Sequence, residues 1–277
     1  MTVETPGSSG TTIGVIGAGN MGSAMVQGWV RDPAPRLRLL VWDKIEASAR
    51  RLLTSETVAA AGSLKELASG ADVIVVVVKP KDAEGLLTSL AGSLRADHVV
   101  VSAMAGPTLE WMRGVLGPGP SLLRIMPNLG VSLGAGAIAL ASEPSTLAST
   151  EQLVGGLLEP LGLVVVVPES ALDAVTAVSG SGPAFLALVL ESLEDGAVAA
   201  GLPRATARTL VRETALATAR LLPLHSDSPA ELRAHLGAEA DLVGLNVLEG
   251  RQVRSAFQKA VESALERSRS LRDTKRS

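Results

Sequence analysis

The stretch Thr12–Val30, TIGVIGAGNMGSAMVQGWV, joins a short apolar run to a glycine cluster and then to a segment with helical spacing. The run TIGVIG is short, apolar and closed by glycine, the pattern of a buried strand. From Met21 to Val30 the apolar residues recur at the helical period. Between the two, Gly17-Ala18-Gly19-Asn20-Met21-Gly22 spells G-x-G-x-x-G. Strand, motif and helix in succession form the context in which such glycines bind a dinucleotide, a purely structural turn being the alternative. Gly17 would permit the tight turn, Gly19 the approach of a pyrophosphate, and Gly22 close packing of helix on strand. Free N–H groups and the dipole at the helix start favour the phosphates.

Outward from this unit the alternation continues. LRLLVWD reads as a second strand and IEASARRLL as a second helix. The pattern recurs through KELASG, ADVIVVVV, a helix around DAEGLLTSLAGSL and the strand DHVVVSAMA, with SLLRIMPN, GAIALA and GLVVVV as further strand candidates. Short Val/Ile runs alternating with helices mean βαβ units and a parallel sheet. Beyond Pro168 the character changes. Pro183–Ala200, Arg204–Leu222, Pro229–Leu236 and Asn246–Leu271 read as helices rich in Ala and Leu, with Pro203 and Pro229 at helix starts. The expected division is residues 1–11 as a disordered tail, 12–168 as a Rossmann-type α/β domain and 169–277 as an all-α domain.

Composition narrows the chemistry. Of 277 residues 47% are hydrophobic, yet tyrosine is absent, so no phenol can donate a proton. There is no cysteine, which removes disulfides and thiolate nucleophiles. His98, His225 and His235 show no ligand spacing, so no metal is expected. A net charge of −3 gives no reason to expect nucleic acid. The start MTVETPGSSGTT has no secretory pattern, and the run VIVVVV is too short to cross a bilayer, so a soluble cytoplasmic protein without a membrane partner is expected.

Further strings sit where a sheet-edge ligand would bind. Asp43 ends the second strand, where a carboxylate binds the adenosine ribose and disfavours a 2′-phosphate, pointing to NADH. Lys44 beside it offsets that repulsion and would admit NADPH, and a solvated charge pair is the other reading. Lys79 and Pro80 in VVVVKPKD, and the loop SAMAGPT (Ser102 to Thr108), follow strand ends in the same way. In VSGSGPAF, Pro183 suits a first helical turn and Ser181 is an N-cap candidate. The same string would otherwise face a nicotinamide.

IGVIGAGNMGSAM, VVVKP, SAMAG, RIMPN, AVSGSGPAF, AAGLPRATA, VLEGRQVRSAF and ALERS, in this order and spacing from Thr12 to Ser268, resemble the pyrroline-5-carboxylate reductase family. The resemblance implies a Rossmann-type NAD(P)H domain, a helical domain that dimerises, in some cases into rings of dimers, and reduction of a cyclic imine C=N bond. It implies that Gly17 to Gly22 carry pyrophosphate, that Asp43 and Lys44 lie near the ribose, and that Lys79, Pro80, Ala105 and Gly106 line the cofactor crevice. Met126, Pro127 and Asn128, with Ser179, Gly180, Ser181 and Gly182, would surround the nicotinamide and substrate. Phe185 stands where the family often has tyrosine, and Glu191 and Asp195 occupy commonly acidic positions.

One stretch departs from the pattern. Where the family carries a Ser-Pro-Gly-Gly-Thr-Thr loop for the substrate carboxylate, this chain runs Gly237-Ala238-Glu239-Ala240-Asp241-Leu242-Val243, with no serine or threonine between Ser228 and Ser255. Two acidic residues repel a carboxylate and suit a cation; Glu239 or Asp241 would also serve as the acid that protonates the imine, unless both are merely solvated. The expectation is therefore a reductase of a specialised imine lacking the carboxylate, with proline biosynthesis as the alternative. A β-hydroxyacid dehydrogenase is disfavoured because no lysine lies between Lys81 and Lys259 to act as base. A non-catalytic cofactor-binding homologue is the last reading.

Overall fold

The computed structural model describes residues 10–31, 37–225, 228–236 and 239–273. They divide into two compact units. One takes in the chain up to Gly180 and resumes at Leu265; the other is Ser181–Ala264.

The first unit is a doubly wound sheet. Its strands are β1 (Thr12–Ile16), β2 (Arg38–Trp42), β3 (Val58–Ala60), β4 (Val73–Val76), β5 (Val99–Ser102), β6 (Ser121–Pro127), β7 (Gly136–Ser142) and β8 (Gly162–Val166). They lie in the order β3-β2-β1-β4-β5-β6-β7-β8. All neighbours are parallel except β6 and β7, so the last two strands run against the rest. The strand order reverses direction between β1 and β4, where a crevice opens beyond the strand ends.

Period two along β1 assigns its faces. Ile13 and Val15 join the cluster beneath helix α1 (Asn20–Arg31), with Met25, Val26 and Trp29. Ile16 joins the opposite cluster, under α3 (Leu64–Gly70), α4 (Ala83–Ala91) and α5 (Leu109–Leu116). Strand β4 is buried at every position, as a two-sided parallel strand must be. Trp29 donates from Nε1 to the Leu157 carbonyl at 2.7 Å, tying α1 to α6 (Ala148–Leu158). Helix α2 (Glu46–Arg50) is shorter than the run IEASARRLL suggests, and β3 carries no signal in the sequence, since three residues of Val and Ala have no period of their own.

The sheet unit continues past the change of composition at Pro168. Leu172, in the short helix α7 (Leu172–Val175), packs with Met126, Ala139 and Ala141. A π-helical turn, Thr176–Gly180, follows. Helix α8 (Gly182–Ala199) comes next, and here one expectation fails: Ser181 is helical (φ −87°, ψ −26°) and its side chain makes no capping bond. Because the turn before it is already wound, there are few free N–H groups for a cap to satisfy. The helical run Glu169–Ala199 is also long and apolar enough, by those two criteria alone, to cross a bilayer, although polar residues interrupt it and no unbroken apolar run marks it in the sequence.

The second unit holds α8, α9 (Arg204–His225), α10 (Pro229–Leu236), α11 (Glu239–Gly250) and the start of α12 (Val253–Asp273). The helix expected over Asn246–Leu271 is two helices. They part at Arg251–Gln252, where Gln252 takes a left-handed φ of 55°. A non-glycine residue there stops the helix ladder.

Candidate cofactor crevice

The turn after β1 works only with glycine at two positions. Gly17 has φ +107°, and a Cβ there would stand 2.4 Å from the Val77 carbonyl oxygen. A Cβ on Gly22 would meet the Gly17 oxygen at 1.9 Å. Gly19 differs: nothing of the protein lies within 4 Å of where its Cβ would be. The fold does not need this glycine. The open space above it, at the start of α1, is what a pyrophosphate requires, so the residues present fit a dinucleotide.

Asp43, just past β2, is held by two backbone donors. Its Oδ2 accepts from Ala18 N–H at 2.7 Å and its Oδ1 from Ile45 N–H at 2.8 Å. The carboxylate is thus fixed against the glycine turn, with a lone pair left on each oxygen. Lys44 reaches across to Asp82 at 3.1 Å, and this hydrogen bond and charge hold the Asp82 carboxyl below its ordinary pKa. Together these groups line a crevice of about 1220 Å³ that also takes in Ser48, Arg51 and Lys79, and is bounded by Leu129 and Ser132. Ser48, Arg51 and Asp82 were not singled out from the sequence. The signal for the first two was their place five and eight residues past Asp43, one helical turn from each other along the helix that follows it.

Of the residues expected at the crevice, Gly17, Ala18, Gly19, Asn20, Asp43, Lys44 and Lys79 line it together. Met21 and Gly22 lie in the first turn of α1, and Gly22 faces the protein interior. Pro80 opens a 3₁₀ turn, Pro80–Asp82, with Lys79 preceding it. Ala105 packs against the Met126 cluster, and Gly106 holds φ +103°. Pro127 ends β6. Asn128 serves its own backbone: Oδ1 accepts from Gly130 and Ala137 N–H. Ser179 Oγ lies 3.5 Å from the Ala137 carbonyl, beside Gly180 at the end of the π-turn.

In the second unit Gly182 begins α8 and Phe185 is half-buried. Glu191 is exposed and shares a hollow with Glu194, Asp195, Arg204 and Arg208. Asp195 pairs with Arg204, and Glu194 with both arginines. Glu239 and Asp241 stand in the opening turn of α11, but their side chains lie outside the described residues.

A glycine turn, a fixed carboxylate at the end of β2 and a reversal of strand order define a dinucleotide-binding protein of the Rossmann class. Residues 12–106 match the family model for NADP oxidoreductase, coenzyme F420-dependent, and residues 169–271 match that for pyrroline-5-carboxylate reductase dimerisation. A pyrroline-5-carboxylate reductase of Synechocystis sp. is 35% identical, the match covering 94% of this chain and 97% of the relative. One from Methanosarcina acetivorans is 33% identical with the same coverage. The crystal structure of the Plasmodium falciparum pyrroline carboxylate reductase with NADP bound superposes with a TM-score of 0.85 at 26% identity, over 96% of this chain and all of that one. The chain belongs to the pyrroline-5-carboxylate reductase family.

Proposed function

We propose that the protein reduces the C=N bond of 1-pyrroline-5-carboxylate to give proline, as a homodimer assembled through its helical region. The observation that carries this is the end-to-end match with relatives named for that reaction, joined to a glycine turn in which Gly19 is left open for a ligand. A specialised substrate, expected from Gly237–Val243, finds no support among those relatives, so the carboxylate-bearing imine is the proposed substrate. The proposed division of labour is cofactor binding by residues 12–168 and dimerisation and substrate binding by residues 169–277, with the compact sheet unit itself reaching to Gly180 and resuming at Leu265.

When bound, NAD(P)H supplies the hydride that the imine carbon takes up. The chain's part is to hold and orient. The N–H groups at the start of α1 would hold the pyrophosphate, Asp43 the adenosine ribose, and the ends of β4 and β5 the nicotinamide riboside. Met126, Pro127, Ser179, Gly180, Gly182, Phe185 and Glu191 are the proposed substrate surroundings. The imine nitrogen gains one proton as the carbon gains hydride, and Ser181, Glu239 and Asp241 are the proposed donors. Asp43 favours NADH. Lys44 and Arg51 line the same end of the crevice, so the reading is that NADPH is accepted too.

The test follows reduced-cofactor absorbance with NADH and NADPH in turn and 1-pyrroline-5-carboxylate as substrate. Turnover supports the proposal. Silence with this imine, together with reduction of an uncharged or amine-bearing cyclic imine, returns the function to a specialised substrate. Light scattering on the same sample counts the copies, whether two or a ring of dimers.

A further inference from the structure

Arg124 is a charge where the sheet calls for an apolar side chain. It lies in β6 between Leu123 and Ile125, both fully buried, and is itself only 4% exposed. Its Nη1 donates to Glu169 Oε1 at 2.8 Å, and its Nη2 approaches the Met104 carbonyl at 3.4 Å. The same Glu169 oxygen accepts from Leu109 N–H at 2.7 Å. The pair therefore grips one loop at both ends: Met104, just past β5, and Leu109, the first residue of α5. Gly106 bends between them with φ +103°. Thr108 Oγ1 already accepts from Trp111 N–H, so α5 has its own cap without Glu169.

Arg124 is the buried partner and Glu169 is 28% exposed. An ion pair of this kind is a poor way to gain stability, because desolvation of the arginine offsets much of the attraction and an apolar residue would do as well. What it does supply is position. In a sheet of this order the half beyond β1, starting at β4, receives the second mononucleotide, and Asp43 marks the other half as the adenosine side. The gripped loop closes the end of β5, within that second half.

We propose that Arg124 and Glu169 are positioning residues that hold Met104–Leu109 in the shape that receives the nicotinamide riboside of the cofactor. The proposal rests on the crevice being an NAD(P)H site and not on the identity of the imine. Its test therefore needs no substrate. NADH and ADP-ribose, which lacks the nicotinamide, are titrated calorimetrically into wild type, Arg124→Met, Arg124→Lys and Glu169→Gln.

The expected result is a loss of about tenfold or more in NADH affinity for Arg124→Met, with ADP-ribose affinity changed less than about twofold. Arg124→Lys should recover part of the loss. Glu169→Gln keeps the shape and an acceptor for Leu109 while removing the charge, so it reads the same split even if Arg124→Met folds poorly. Equal losses for both ligands would make the pair merely structural, and unchanged NADH affinity in all three variants would also overturn the proposal. A wild type that binds neither ligand would remove the cofactor reading beneath it.

Discussion

The sheet unit and the helical unit draw on the same alanines, valines and leucines but dispose of them differently. In the first, strands such as Val73–Val76 are buried at every position. In the second, Ala207 and Leu232 are the only buried hydrophobic residues among those described. Helix α8 has none buried, and leaves Leu186, Leu188 and Leu193 at 54–65% exposure. A helix apolar on most of its surface is normally covered. The contrast teaches that one unit is completed within its own chain, whereas the other presents a surface that a second copy would complete, as the dimerisation match leads one to expect.

The strongest way to break that contrast is to charge the open face. Replacing Leu186 and Leu193 together by aspartate should convert the protein to monomer, with a loss on the order of 3 kcal/mol or more in association. Light scattering would show it, and an intact dimer would refute the role given to α8. Next in size are the glycines. Gly22→Ala forces a Cβ into the Gly17 carbonyl and should cost roughly 2–3 kcal/mol of stability, seen as a lower melting temperature, and should weaken cofactor binding as well. Gly19→Ala meets only open space, so stability should hold while cofactor affinity drops about tenfold. Equal melting losses in both would mean that Gly19 is structural after all.

A smaller effect concerns cofactor choice. Arg51→Ala should weaken NADPH about fivefold and leave NADH unchanged, measured by titration with each. The smallest lies inside the sheet unit. His98 is buried, and desolvation first, with the nearby Arg95 charge second, pushes its pKa below the ordinary 6.5. Its Nδ1 must also stay unprotonated to accept Arg95 N–H. The folded state therefore resists a proton that the unfolded chain takes up. Stability should be complete above about pH 6.5 and fall as the pH drops below it. Urea midpoints across that range should flatten in His98→Gln.

How much of this the sequence disclosed depended on whether a constraint was local. The glycine turn was legible because three backbone demands fall within six residues and a strand and helix flank them. Asp43 followed from its distance along one βα unit. The reversed direction of β7 and β8 was not legible, since strand residues look alike in either sense. Nor was the break at Gln252, where a side chain common in helices adopts a left-handed conformation. The Arg124–Glu169 grip joins residues 45 apart in the chain. Arg124 stands in the recognisable string RIMPN, but its partner belongs to a segment that composition assigns to the other domain. Likewise the π-turn Thr176–Gly180 runs up to α8 and leaves Ser181 without the capping bond its type suggested, whereas Pro183 does stand in the first turn as expected.

The end of α12 returns to the sheet unit, where Ser268, 5% exposed, donates to Asp173 at 2.8 Å. During synthesis the ribosome delivers Asp173 well before Ser268, with the whole helical unit emerging in between. The nascent sheet unit thus waits, incomplete, until the segment beginning at Leu265 is released. A chain broken off before Leu265 would keep every crevice residue yet lack the segment that Asp173 binds through Ser268.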